Sequence, residues 1–165
     1  MLVSFGEWIH GTALGWAVGG GVPWIWPACE IAHFVGLALL LGCVGVYDLR
    51  LLGMAKGLEV GPLQRLLPWG VLGFVVNLVT GVMFFAGKPD QYIDNNPFWM
   101  KMLFIGLAGV NLAAFYATGA SGTVHAIGAG EDAPRAAKIV AAVSLFLWLG
   151  VVYWGRMLPF LGNSF

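Results

Sequence analysis

"ACEIAHFVGLALLLGCVGVYDLRLL", Ala28 to Leu52, decides the fold. Its only ionisable residues besides two cysteines and a tyrosine are Glu30, His33, Asp48 and Arg50. As a helix it rises about 37 Å at about 1.5 Å per residue, enough to cross a hydrocarbon core of about 30 Å. Glu30 and His33 stand three residues apart on one helical face, at the start of a run that is otherwise nearly all hydrocarbon.

Three further runs repeat the pattern: Leu63–Ala86, Phe98–Gly119 and Arg135–Leu158. Pro27, Pro62, Pro97 and Pro134 precede the four runs, and proline suits the first helical turn. Asn96 and Asp132 are candidate caps, and Pro159 is expected to close the last helix. Of the 165 residues 59% are hydrophobic and 10% charged, and the mean hydropathy of +0.84 points to lipid as solvent. The expected fold class is therefore all-α, an integral membrane four-helix bundle over residues 23–165. Residues 1–22 ("FGEWIHGTALGWAVGG" and its flanks) are short and broken by glycine, and read as an interfacial amphipathic helix with Trp8 and Trp16 toward lipid. No Lys or Arg precedes Arg50, so the start does not read as a signal peptide.

Zero net charge gives no footing for a nucleic-acid partner; membrane lipid is the partner the composition implies. Arg50, Lys56, Arg65, Arg135 and Lys138 flank loops one and three, which the positive-inside rule places in the cytoplasm, with both termini periplasmic. Asp48 and Arg50 read as a surface pair at that end, and His125 as solvated in a glycine-rich loop.

In four antiparallel spans Glu30, His33, Lys101 and Arg156 share the outer half of the bilayer with Met83, Met100, Met102 and Met157. Ionisable groups at such depth face the bundle interior or water. Each also has a plainer reading. Glu30 is a carboxylate that favours a helix N-terminus, His33 a core histidine bonded to Glu30, Lys101 and Arg156 snorkelling cations, and the methionines packing. A di-iron carboxylate centre is not expected, because spans two to four contain no Asp or Glu. A mononuclear metal at Glu7, His10, Glu30 and His33 requires the N-terminal segment to fold back onto the first span.

"WPACEIAHFVGLALLLGCVGVYDLRLLG", "NPFWMKMLFIGLAGVNLAAF" and "SLFLWLGVVYWGR" are similar to spans of a group of small bacterial inner-membrane proteins with a Trp-Pro start, a Glu-x-x-His pair and a closing Asp-Leu-Arg. More distantly the layout resembles the HemJ-type haem-b protoporphyrinogen oxidases, in which His33 and Lys101 match an early-span histidine and a later Trp-x-x-Lys-like start. It also resembles the CopD-type copper-resistance membrane proteins through Trp99 to Lys101. The arginine-rich first-span end of the HemJ type is not reproduced, and CopD-type proteins have more spans.

The leading expectation is a b-type haem protein of the bacterial inner membrane that transfers electrons or oxidises a membrane-soluble substrate. His33 would be the axial ligand, Glu30 would orient its ring, and Lys101 and Arg156 would pair with propionates. Met83, Met102 or Lys101 would be the sixth ligand, if there is one. The alternative is copper handling, with Cys29, His33, Met83 and Met102 as soft donors for Cu(I). The third reading is a small structural subunit, in a homo-oligomer or a larger membrane complex.

Overall fold

The computed structural model describes residues 2–161, which contain helices and no strand. In chain order these are α1 (Leu2–His10), α2 (Ala13–Trp16), α3 (Ile25–Leu52), α4 (Val60–Gln64), α5 (Leu67–Gly87), α6 (Asp90–Ile93), α7 (Asn96–Ala117), α8 (Ala120–Val124) and α9 (Arg135–Leu161). The first and third spans match the sequence expectation to within three residues at each end. The second starts later: Val60–Gln64 forms its own short helix, the chain turns at Arg65 and Leu66, and α5 begins with Pro68 in its first turn. The last outruns Pro159, which sits inside α9 rather than after it. The helix carries on for only two more described residues, so little backbone bonding is lost. The cap of α7 is Asn95, not Asn96: its Oδ1 accepts from the Phe98 N–H at 3.3 Å. Residues 1 and 162–165 of the expected segments lie outside the described residues.

Four helices are long and apolar enough to cross a membrane, and together they define an all-α, multi-pass membrane protein. Large apolar side chains such as Ile31, Phe34, Val110, Ile139 and Phe146 point outward, each about two-thirds exposed. Lipid, not water, is the solvent that makes such a surface stable.

The spans pack as two hairpins. α3 lies on α5, α7 lies on α9, and α3 against α9 joins the pairs. Backbone contact brings α3 and α5 together. A Cβ on Gly73 would meet the Gly36 carbonyl oxygen at 2.5 Å and the Leu40 nitrogen at 2.8 Å. Small residues at such a crossing let dispersion act between whole helices where no hydrophobic drive exists. Asn77 lies at the same crossing: its Nδ2 donates to the Gly73 carbonyl of its own helix at 2.9 Å and faces Gly36 of α3.

The N-terminal segment wraps the C-terminal end of the second span. A wide turn over Ala17–Gly21, with Gly20 at φ 130°, delivers Val18 onto Gly87, where it is 1% exposed. Gly6 of α1 meets Pro89 and Ile93 near α6. Trp8 and Trp16 stay largely exposed.

At the opposite end a compact core gathers Tyr47, Leu51, Val60, Phe115, Val124 and Ile127. The expected surface pair is overturned here. Arg50 is 0% exposed, and its guanidinium donates to the carbonyls of Leu58, Gly128 and Glu131. Asp48 is also buried and bonds Ser144 on α9. Residues two apart lie on nearly opposite helical faces, so the two charges never meet. Asp132 does not cap α9. Its carboxylate bridges Lys56 and Lys138 at 2.9 Å each.

Two outcomes test this packing. Gly73→Ala should lower the detergent melting temperature, at a cost of about 1–3 kcal/mol, because the added methyl meets backbone. Gly42→Ala, with open space beyond its Cβ, should not. The hydrogen bonds and charges of Lys138 and Lys56 hold the Asp132 carboxyl down at about 2, against 3.8 for an ordinary aspartate. A depressed carboxyl contributes stability above its unfolded pKa and loses it as pH falls through the folded one. The melting difference between wild type and Asp132→Asn should therefore hold steady down to about pH 4 and vanish between pH 4 and about 2.

Candidate functional site

Four residues near the start of α3 and the end of α5 meet across the seam between these helices, in two layers. Cys29 and His33 are four apart on α3, and Thr80 and Met83 three apart on α5, so each pair shares a face. Facing each other, they bring Cys29 Sγ to 3.8 Å from Met83 Sδ, and His33 Nδ1 to 2.7 Å from Thr80 Oγ1. Phe84 packs beside the imidazole, its ring 5.6 Å from His33 and 5.0 Å from Trp26.

The Thr80 bond fixes the imidazole's tautomer. Thr80 Oγ1 lies 2.7 Å from the Val76 carbonyl and 3.3 Å from that of Asn77, and both can only accept. The single hydroxyl proton goes to them, so Oγ1 accepts from His33 and the proton rides on Nδ1. Nε2 is left as a bare lone pair with no hydrogen-bond partner among the described residues. This is the arrangement of a neutral histidine prepared to ligate.

The expected pairing of Glu30 with His33 is not formed. Glu30 is exposed and accepts from the Trp26 indole N–H at 3.1 Å, one turn earlier on its own helix. Its charge also acts on Tyr92 in the loop between the second and third spans. Burial first, and Glu30 second, push that hydroxyl up to about 12. Lys101 is half-buried and lies within electrostatic range of His33, without a direct contact to the seam among the described residues. Its stem runs along α9 at Gly155, whose missing side chain leaves room for it. Lys101 makes no ion pair among the described residues. Arg156 is exposed and stacks over Phe160 at 5.0 Å, away from this cluster. Met102, next to Lys101, is turned outward at 36% exposure.

The N-terminal segment adds nothing to the seam. His10 leans on Gly19 within that segment, and no group of three or more His, Cys, Asp or Glu gathers among the described residues. Glu7, His10, Glu30 and His33 are not brought together among the described residues. The sequence named His33, Cys29 and Met83, but not Thr80 as the partner of His33. Helical spacing shows which residues share a face of α3 or α5; it does not give the register between them.

The fold and this seam define a multi-pass membrane protein with an oriented imidazole and a sulfur pair between its first two spans. The chain belongs to DUF6644, a family of unknown function, which matches residues 5–161. No curated protein and no solved structure matches it, so the HemJ-type and CopD-type likenesses stay at the level of pattern.

The tautomer is directly measurable. In protein labelled with 15N-histidine, His33 should show a protonated Nδ1 and an unprotonated Nε2. Thr80→Val, which keeps the shape and removes the acceptor, should shift that signal toward a tautomer mixture.

Proposed function

We propose that the chain binds Cu(I) within the outer half of the membrane, between α3 and α5. The contact of Cys29 Sγ with Met83 Sδ at 3.8 Å, one helical turn along α3 from His33 with its free Nε2, carries this reading. Thiolate, thioether and imidazole are the donor set that favours Cu(I) over harder ions. Cys29 Sγ and Met83 Sδ, 3.8 Å apart, would hold a Cu(I) ion between them, with Cys29 as the thiolate, and the His33 imidazole on the same face of α3 would supply a further donor. The Thr80 bond orients the imidazole, and the Phe84 ring packs beside it. We also place loops one and three in the cytoplasm, on their basic residues, which puts the copper site toward the periplasm.

Haem b is the second reading, carried by Lys101. An interior cation with no acid partner among the described residues is what a propionate would seek. Against it, Phe84 packs on the His33 ring, and cavities of about 640 and 540 Å³ lie at the other end of the bundle.

Anaerobic titration of the purified protein with Cu(I) against a competing chelator decides between them. Wild type should bind one Cu(I) per chain. Cys29→Ser, Met83→Leu and His33→Ala should each weaken it at least about tenfold, or about 1.4 kcal/mol, and Met102→Leu should leave it unchanged. Wild-type affinity in both His33→Ala and Cys29→Ser would overturn the copper site. A Soret band lost in His33→Ala and weakened in Lys101→Gln would establish haem instead.

A further inference from the structure

The end of the bundle far from His33 carries a different feature. α5 packs on α3 and α7 packs on α9, but α5 and α7 make only marginal contact with each other. A cavity of about 640 Å³ lies where they part, walled by Leu67 and Val71 of α5 and Phe115 of α7. Its size is that of a small-molecule site. Tyr47 closes its back, held by a hydrogen bond from Gln64 Nε2 at 3.3 Å.

The rim is polar. Gln64 and His125 border this cavity and also a neighbouring one of about 540 Å³ that reaches Arg65. Arg65 is exposed and bonds no acid among the described residues. Its neighbours differ: Asp132 occupies Lys56 and Lys138, and Arg50 is spent on backbone carbonyls. A free guanidinium thus stands at the mouth of an apolar cleft, at the level where α5 enters the membrane. Basic pockets between spans at the positive end of a bundle meet the anionic headgroups of that leaflet.

We propose that this cleft seats one anionic phospholipid. Its phosphate bonds Arg65 and Gln64 at the rim, and an acyl chain lies between α5 and α7 against Leu67, Val71 and Phe115. A guanidinium–phosphate pair is a charge-assisted, bidentate contact and supplies the headgroup preference. The lipid covers apolar surface that no protein helix covers.

Native mass spectrometry of the protein in mild detergent tests this, with short-chain phosphatidylglycerol, phosphatidylcholine and inorganic phosphate as separate probes. Wild type should retain one phosphatidylglycerol per chain, at least about tenfold better than phosphatidylcholine, and no phosphate. Arg65→Gln should bring the two lipids to the same retention. Gly122→Trp, which has open space beyond its Cβ at the cavity wall, should abolish both. Val71→Trp fills the same cavity from α5 if Gly122→Trp does not fold. Lys88→Gln, at the other end of α5, should change nothing. Equal retention of the two lipids by wild type, or an unchanged preference in Arg65→Gln, overturns the proposal. Phosphate bound alone with the same dependence on Arg65 shows a free-anion site and overturns the lipid.

Discussion

A guanidinium with no exposed surface fixes one end of this bundle. Arg50 closes the first span, and its donors reach the carbonyls of Leu58 in loop one and of Gly128 and Glu131 in loop three. A buried cation without a carboxylate partner is costly unless dipoles surround it, and three carbonyls do so here. Both loops are tied to α3 through a single side chain, so the ends of α5 and α9 are set relative to it. Leu51, Val60, Val124 and Ile127 then pack into the tightest apolar cluster of the molecule. The opposite end has no comparable clamp. There the N-terminal segment covers Gly87, aromatic rings stack between Phe85, Tyr92 and Phe98, and the sulfur and imidazole layers sit just inside.

Hydropathy and proline positions made the four spans readable from sequence, because membrane thickness dictates helix length almost independently of tertiary detail. The errors have local causes. Asp48 and Arg50 looked like a pair because opposite charges stood close in sequence. Their spacing of two was itself the warning, since such residues diverge around a helix. Asn96 and Asn95 are chemically equivalent as caps, and only backbone geometry chooses between them. Asp132 had a cap's position but found two lysines, one of them 76 residues away.

The candidate site was legible as a set of residue types and not as a set of contacts. Glu30 and His33 share a helix, so their pairing was the simplest local hypothesis. His33 instead bonds a threonine 47 residues away, and Glu30 bonds an indole four residues away. The winning interaction is set by how α3 and α5 cross at Gly36 and Gly73, which no periodicity encodes. Three buried polar atoms on the same framework, Asp48 Oδ2, Asn77 Oδ1 and Arg50 Nη1, find no partner among the described residues, so polar satisfaction in this interior is uneven.

Lys101 owes its depth to a residue that has no side chain. A Cβ at Gly155 would touch the lysine stem at 3.7–3.8 Å, ordinary contact, so an alanine scan would pass over this position without a signal. Valine or leucine there would fill the channel along α9 and drive the ammonium back toward the headgroups. The depth of a half-buried cation is therefore set by steric room on a neighbouring helix rather than by any group that binds it.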